Sequence, residues 1–253
     1  MLNYKLFGEG EKYLIILHGL FGSLDNWHTL AQRFSERFKV LLVDQRNHGK
    51  SPHYDQHNYA LMASDIKELM DQLNVAQAHF LGHSMGGKTV MKIGVDFPYL
   101  IDQLVVVDIA PRYYAPHHQT ILAALQSVDF SKVSSRKEVE DELARQIEHP
   151  MVLQFLLKGL TYEASRKLRW KFNLKTLTAA IDNIGEALSE HAYFTNPTLF
   201  IKGELSDYIT LEDEELIDHI FPQSEIVVIS EAGHWLHAEQ PQIFFEEVSR
   251  FLN

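Results

Sequence analysis

The most informative stretch of this chain of 253 residues is Gly82-His83-Ser84-Met85-Gly86-Gly87. It follows an apolar run that ends at Leu81 and precedes a helical pattern over Thr89–Phe97. A serine flanked by glycines at this spacing is typical of a tight strand-to-helix turn, because side chains two positions either side of the strained serine would collide. The turn exposes the Ser84 hydroxyl and directs the Met85 backbone N–H to the same side. The motif therefore predicts Ser84 as a nucleophile and Met85 as an oxyanion donor.

The pattern on either side of this motif predicts an α/β fold with a mostly parallel sheet. Short apolar runs without alternation suit strands buried on both faces. Longer amphipathic stretches separate them, which is typical of a doubly wound sheet flanked by helices. The predicted strands are Tyr13–Leu17, Val40–Val43, His79–Gly82, Leu104–Val107, Thr198–Ile201 and Ile226–Ile229, and the predicted helices are Leu24–Phe38, Leu61–Leu73, Thr89–Phe97, Leu211–Ile220 and Ile243–Phe251.

One interval interrupts the alternation of strands and helices. Residues 112–193 contain no convincing strand pattern and are predicted to form helices over Thr120–Val128, Arg136–Ile147, Val152–Leu157 and Leu174–Leu188. We interpret residues 1–111 and 194–253 as the core and residues 112–193 as a helical cap over the sheet edge where such folds bind ligands. The alternative is a helical elaboration of the sheet's edge.

A serine hydroxyl needs a general base, and His234 is the candidate. It lies in Gly233-His234-Trp235, just after the last predicted strand, where the loop can fold back towards Ser84. The base needs a carboxylate to hold its tautomer, and two aspartates follow strands in the chain order Ser, Asp, His. Asp108 ends the run Leu104–Val107, and Asp207 lies in the loop after Thr198–Ile201. Both remain candidates on this pattern alone.

A second oxyanion donor is predicted in the loop that follows the first long strand. The stretch Leu17-His18-Gly19-Leu20-Phe21-Gly22-Ser23 has a glycine that lets the backbone turn without a side-chain obstruction. The Leu20 N–H is the preferred donor, and that of Phe21 is the next.

Four motifs together resemble the α/β-hydrolase superfamily of serine esterases, over essentially the whole chain. They are the loop His18–Ser23, the stretch Asp44-Gln45-Arg46-Asn47-His48-Gly49-Lys50-Ser51, the Ser84 motif and Gly233-His234. Within the superfamily, Arg46–Gly49 and Asp108-Ile109-Ala110-Pro111 resemble the small bacterial YbfF-type esterases. The resemblance implies cofactor-free hydrolysis of esters or thioesters through an acyl-enzyme, with a helical cap shaping an acyl pocket.

The chain departs from the superfamily's pattern at the acid. Many α/β-hydrolases place the acid three residues after the glycine that follows Lys202 at the end of this strand. That position is occupied by Ser206 here. The departure favours Asp108 over Asp207, with Ser206 as a polar support of the histidine.

Composition excludes several other classes of function. With 23 Lys and Arg against 34 Asp and Glu, the net charge of −11 opposes binding to nucleic acid through a general basic field. The absence of cysteine removes disulfides and thiolate metal sites. Histidines 53, 57, 117 and 118 lack metal-ligand spacing, so no metal is expected. No secretory signal or membrane span is predicted, and we expect a cytoplasmic protein.

Two other functions share these motifs. A C–C bond hydrolase or lyase of the same fold would use the same serine, histidine and aspartate. A ligand receptor that kept the scaffold is disfavoured by the intact Ser84 and His234. The sequence makes no prediction of the oligomeric state.

Overall fold

A computed structural model of the protein describes residues 1–116 and 118–252 and contains a seven-stranded sheet. In chain order its strands are β1 (Tyr4–Phe7), β2 (Tyr13–Leu17), β3 (Lys39–Val43), β4 (Ala78–His83), β5 (Ile101–Val107), β8 (Thr198–Gly203) and β9 (Ser224–Ile229), and β6 and β7 lie between β5 and β8 in a separate hairpin (Leu160–Tyr162 and Leu168–Trp170). The spatial order β1-β3-β2-β4-β5-β8-β9 places β4 at the centre, between the central strands β2 and β5. All neighbours pair in parallel except β1 with β3.

The apolar strands are covered by helices on both faces, which confirms the predicted doubly wound, mostly parallel sheet. The helices are α1 (His28–Phe34), α2 (Tyr59–Leu73), α3 (Met85–Asp96), α4 (Gln119–Ser127), α5 (Arg136–Leu143), α6 (Pro150–Lys158), α7 (Leu174–Ala179), α8 (Ile181–Ile184), α9 (Glu214–Ile220), α10 (Leu236–Glu239) and α11 (Pro241–Phe251). Alternate strand residues point into two separate cores. Leu17 and Phe80 belong to the core with α2 and α3, and Leu14 and Leu81 to the core with α1 and α11.

The six predicted strands are all present, and β1 is an additional strand. Tyr4–Phe7 lies at the edge of the sheet, where Lys5 and Leu6 are exposed and only the two end residues are partly buried, so the strand has no continuous apolar run. An edge strand is covered on fewer sides than a central one, so its sequence carries a weaker hydrophobic signal.

Residues 112–193, which we call the insertion, form the helices α4–α8 and a short hairpin. The expectation of no strand here is wrong. β6 and β7 are three residues long, too short to show alternation, and they are joined by a turn with Arg166 at φ 63°. A third apolar cluster packs insertion residues such as Leu125 and Phe172 against Leu20, Phe21 and Met85. The insertion therefore lies over the loops at the carboxyl end of the central strands.

A buried lysine joins both ends of the insertion to the helix that follows Ser84. Lys88 Nζ donates hydrogen bonds to the carbonyl oxygens of Arg112 (2.5 Å) and Glu186 (2.8 Å). Its side chain is 1% exposed, and burial lowers its pKa to about 7. Over residues 1–116 and 118–252, no helix combines the length and apolar composition needed to cross a membrane.

Candidate active site

Ser84 occupies a strained turn between β4 and α3. Its backbone has φ 53° and ψ −116°, outside the regions that L-residues ordinarily occupy. A Cβ at Gly82 would lie 2.2 Å from the carbonyl oxygen of Gly86, and a Cβ at Gly86 would lie 2.4 Å from that of Leu17. Only glycine fits at these two positions, so the tight turn depends on both of them.

The loop after β2 brings its backbone close to this serine. A Cβ at Gly19 would lie 3.4 Å from the Cβ of Ser84. Phe21 has φ 60° and donates its N–H to Nε2 of His48 over 3.2 Å, so this donor is engaged. The backbone N–H groups of Leu20 and Met85 have no hydrogen-bond partner within residues 1–116 and 118–252. Between the two sequence candidates in this loop, the geometry favours Leu20 over Phe21 as an oxyanion donor.

The segment after β3 supports that loop. Gln45 donates its backbone N–H to His18 Nε2 (3.1 Å) and its side-chain amide to the His18 carbonyl (2.7 Å), and its Oε1 accepts from Thr89 on α3 (2.9 Å). Burial lowers the pKa of both His18 and His48, so both rings stay neutral and can accept backbone N–H groups. This network fixes the loop relative to α3.

The charged residues of the same segment have structural contacts. Asp44 accepts from the N–H groups of Leu24 (2.8 Å) and Lys50 (2.9 Å). Arg46 makes a two-pronged ion pair with Asp65, at 2.6 and 2.9 Å. Both side chains therefore stabilise loops.

The structure brings His234 onto Asp108. His234 Nδ1–H donates to Asp108 Oδ2 over 2.7 Å, although the two residues are 126 positions apart in sequence. The Asp108 side chain is fully buried and also accepts from the Gly203 N–H (3.1 Å) and the Ser206 hydroxyl (2.5 Å). Because Nδ1 carries the proton, Nε2 is the basic nitrogen of the ring.

Asp207, the other candidate acid, lies elsewhere. Its side chain is exposed and makes no hydrogen bond within the described part of the chain. Ser206 lies beside Asp108, and its hydroxyl and His234 Nδ1 share Oδ2 of that carboxylate.

The sequence reasoning assigned no role to His83, which contacts the backbone of His234. His83 Nε2 donates to the backbone carbonyl of His234 over 2.8 Å. Burial lowers the pKa of His83 well below its ordinary value, so the ring is a neutral, fixed donor. Its place directly before the serine, inside the turn motif, was the available signal.

Two small cavities meet at Ser84 beneath the insertion. The first, about 100 Å³, is lined by His83, His234 and Trp235 and by Phe155 and Leu156 of α6. The second, about 20 Å³, lies on the side of Met85 and is lined mainly by apolar groups, which include Ile109, Tyr59, Ile181 and Ile184. Both include Leu20, Ser84 and Tyr208.

Residues 1–116 and 118–252 hold no cluster of three or more His, Asp or Glu side chains that could bind a metal. Of the histidines considered from sequence, His57 is buried and burial lowers its pKa to about 4, whereas His117 lies outside the described residues.

Several known proteins are similar to this chain over most of its length. A family model described as alpha/beta hydrolase fold matches residues 12–241. The chain is 39% identical over 242 residues to a putative esterase/lipase of Haemophilus influenzae, covering 95% of this chain and 83% of the relative. It is 36% identical over 241 residues to Esterase YbfF of Escherichia coli, covering 95% and 92%. The solved structure of a marine microorganism esterase has a TM-score of 0.96 and 43% identity, covering 99% and 98%. The predicted resemblance is confirmed.

Proposed function

Because the chain belongs to the alpha/beta hydrolase fold family, we propose that it cleaves carboxylic esters of small to medium acyl groups through an acyl-enzyme intermediate on Ser84. Its similarity to proteins named as esterases supports the hydrolysis of esters. The acyl-enzyme mechanism rests on the 2.7 Å contact between His234 Nδ1 and Asp108 Oδ2, next to the cavity that Ser84 and His234 both line.

In this mechanism His234 Nε2 takes the proton of Ser84 while the serine oxygen attacks the ester carbonyl carbon. The carbonyl oxygen becomes an oxyanion, which the backbone N–H groups of Leu20 and Met85 stabilise. Asp108 orients and stabilises the imidazolium of His234, and the Ser206 hydroxyl donates a hydrogen bond to the same carboxylate. The imidazolium then protonates the alcohol oxygen, the C–O bond breaks, and the acyl group stays on Ser84.

Hydrolysis of the acyl-enzyme repeats these steps with water. His234 takes a proton from water, the hydroxide adds to the acyl carbon, and the proton returns to Ser84 as the carboxylic acid leaves. Water and ester are consumed, and an acid and an alcohol are formed. No external cofactor enters this balance.

The cavities support an assignment of the two substrate halves. The leaving group must lie next to the group that protonates it, so the alcohol belongs in the cavity lined by His234. The acyl group then occupies the narrow apolar cavity next to Met85, whose size favours short chains. In this proposal the insertion acts as a cap, since it supplies walls to both cavities.

The test is a series of p-nitrophenyl esters and coenzyme A thioesters of increasing acyl length, assayed with the purified protein and with Ser84→Ala. We expect the highest kcat/KM for short acyl esters and no burst of p-nitrophenol from the variant. Turnover of a vinylogous diketone in preference to every ester would instead favour a C–C bond hydrolase. Failure of a fluorophosphonate probe to label the wild type would contradict a serine nucleophile.

A further inference from the structure

Tyr208 lies face to face with the imidazole of His234. The ring centroids are 4.0 Å apart and the planes are inclined by 19°. Tyr208 is half-buried in the loop after β8, and its side chain lines both cavities at Ser84. We propose that Tyr208 is a positioning residue, whose ring fixes the plane of the His234 imidazole and stabilises the imidazolium formed during the reaction. This inference rests on the proposed function.

The contacts that fix Tyr208 are connected to those that fix the carboxylate. The Tyr208 N–H donates to the Ser206 hydroxyl oxygen over 3.3 Å, and that hydroxyl donates to Asp108. The Tyr208 carbonyl accepts from the hydroxyl of Tyr114, which in turn accepts the Ala110 N–H over 2.8 Å. One hydrogen-bond network therefore holds Tyr208 and Asp108, and it fixes the position of both side chains relative to His234.

The stacked arrangement acts on one protonation state more than on the other. The face of an aromatic ring carries negative charge density, so it attracts a cation placed over it. The imidazole is neutral before proton transfer and cationic after it. The attraction is consequently stronger in the transition state than in the ground state, which is the condition for an effect on rate.

The histidines next to His234 do not change charge at the assay pH, so they do not mask the effect of Tyr208 on the protonation of His234. Asp108 contacts Nδ1, His83 lies with its ring centroid 4.7 Å away, and His237 is near enough for its pKa to respond to the His234 charge. Burial lowers the pKa of His83 well below its ordinary value and that of His237 to about 3, so both are neutral at assay pH. Burial raises the pKa of Tyr208 itself to about 12, so its hydroxyl is also neutral.

The experiment compares Tyr208→Phe, Tyr208→Leu and ring-fluorinated phenylalanines at position 208, using the full chain and a short-chain p-nitrophenyl ester. Fluorination removes negative charge from the ring face while nearly conserving its shape. Tyr208→Phe should retain kcat and the pH midpoint of kcat/KM. Tyr208→Leu should lower kcat by about tenfold and shift the midpoint down by about half to one pH unit. The fluorinated series should shift both values in proportion to the number of fluorines.

A merely structural role predicts a different result. If Tyr208 only forms a cavity wall, Tyr208→Leu will raise KM with an unchanged pH midpoint, and fluorination will have no graded effect; either outcome overturns the proposal. Should Tyr208→Leu fail to fold, the nearly isosteric fluorinated series still decides. Tyr193→Leu is the matched control, because Tyr193 is 61% exposed and is absent from both cavities.

A second readout separates this proposal from the proposed function. NMR titration of ring-labelled histidine, with the His234 signal assigned by its loss in His234→Gln, reports the protonation of His234 without any substrate. A lower titration midpoint in the fluorinated proteins, together with no ester hydrolysis by the wild type, would leave the Tyr208 effect intact and refute the proposed function. An unchanged titration midpoint together with normal esterase activity would refute the role of Tyr208 and leave the proposed function intact.

Discussion

The carboxylate of Asp108 lies 2.7 Å from Nδ1 of His234, at the end of a strand that pairs directly with the strand leading into Ser84. We expect Asp108→Asn to lower kcat by about 10⁴-fold, because an amide at this position favours the wrong imidazole tautomer. Asp207→Asn is the matched control and should keep activity within about twofold, since its exposed carboxylate makes no hydrogen bond to residues 1–116 and 118–252 that an amide would disturb. Steady-state kinetics at matched thermal stability would decide. If Asp207→Asn lost its activity and Asp108→Asn kept most of its activity, Asp207 would be the aspartate that orients His234.

Ser84→Ala should reduce kcat by about 10⁴-fold or more while leaving the fold intact. Alanine lacks the nucleophilic oxygen but differs from serine by that atom alone, so the strained turn should be retained. Intact-protein mass spectrometry after fluorophosphonate treatment should show one adduct on the wild type and none on the variant. A variant that kept a tenth of the wild-type rate would disprove the nucleophile assignment.

Treatment with EDTA should leave esterase activity unchanged. The proposed steps use a serine, a histidine and backbone N–H groups, so they involve no metal ion. Activity is measured before and after exhaustive chelation, with a zinc metalloprotease as a positive control. Loss of activity that added zinc or manganese restores would indicate that the histidines serve as metal ligands.

Lys88 should make the folded protein more stable as the pH rises from 7 towards 9.5. Its pKa is about 7 in the folded state and 10.5 in the reference state, so between these values the unfolded chain binds more protons than the native one. The free energy of unfolding therefore increases with pH over this range. As a neutral amine, Lys88 still has two N–H groups for the two carbonyls that it contacts.

The comparison protein is Lys88→Met, whose unfolding by urea is followed from pH 7 to 9.5. We expect it to lack this pH-dependent increment and to be less stable by about 2–4 kcal/mol at pH 9, because the carbonyls of Arg112 and Glu186 lose their donor. Equal pH slopes for the two proteins would show that Lys88 keeps its proton when buried. The upper limit of pH 9.5 keeps the ionisation of tyrosine side chains from contributing to these pH slopes.

Gly86→Ala should strongly destabilise the fold, whereas Gly94→Ala in the same helix should be tolerated. A methyl group at position 86 would lie 2.4 Å from the Leu17 carbonyl oxygen, which belongs to a central strand and cannot move away. At position 94 the nearest atom is 3.2 Å away, on the Phe194 side chain, which can adjust. Thermal unfolding should show a loss of several kcal/mol, roughly 3–5, for Gly86→Ala only. Equal melting temperatures would refute the packing argument.

The sequence alone determined the features that depend on neighbouring residues. Continuous apolar runs predicted six strands, of which five lie inside the sheet, where burial on both faces demands such runs, and β9 lies at its edge. The strained turn at Ser84 was visible because backbone sterics admit only glycine at positions 82 and 86. A short hairpin such as Leu160–Tyr162 with Leu168–Trp170 escaped this reasoning, since three residues are too few to form a pattern.

Tertiary structure decided the contacts between residues that are distant in the chain. Asp108 and Asp207 both follow strands, and the pattern could not separate them. The register of β8 against β5 brings Gly203 and Ser206 onto the Asp108 carboxylate, and the loop after β9 brings His234 to the same oxygen. The stacking of Tyr208 on His234 arises in the same way. Such contacts depend on strand order and loop path together, and these are set by the packing of the whole core rather than by the residues beside each side chain.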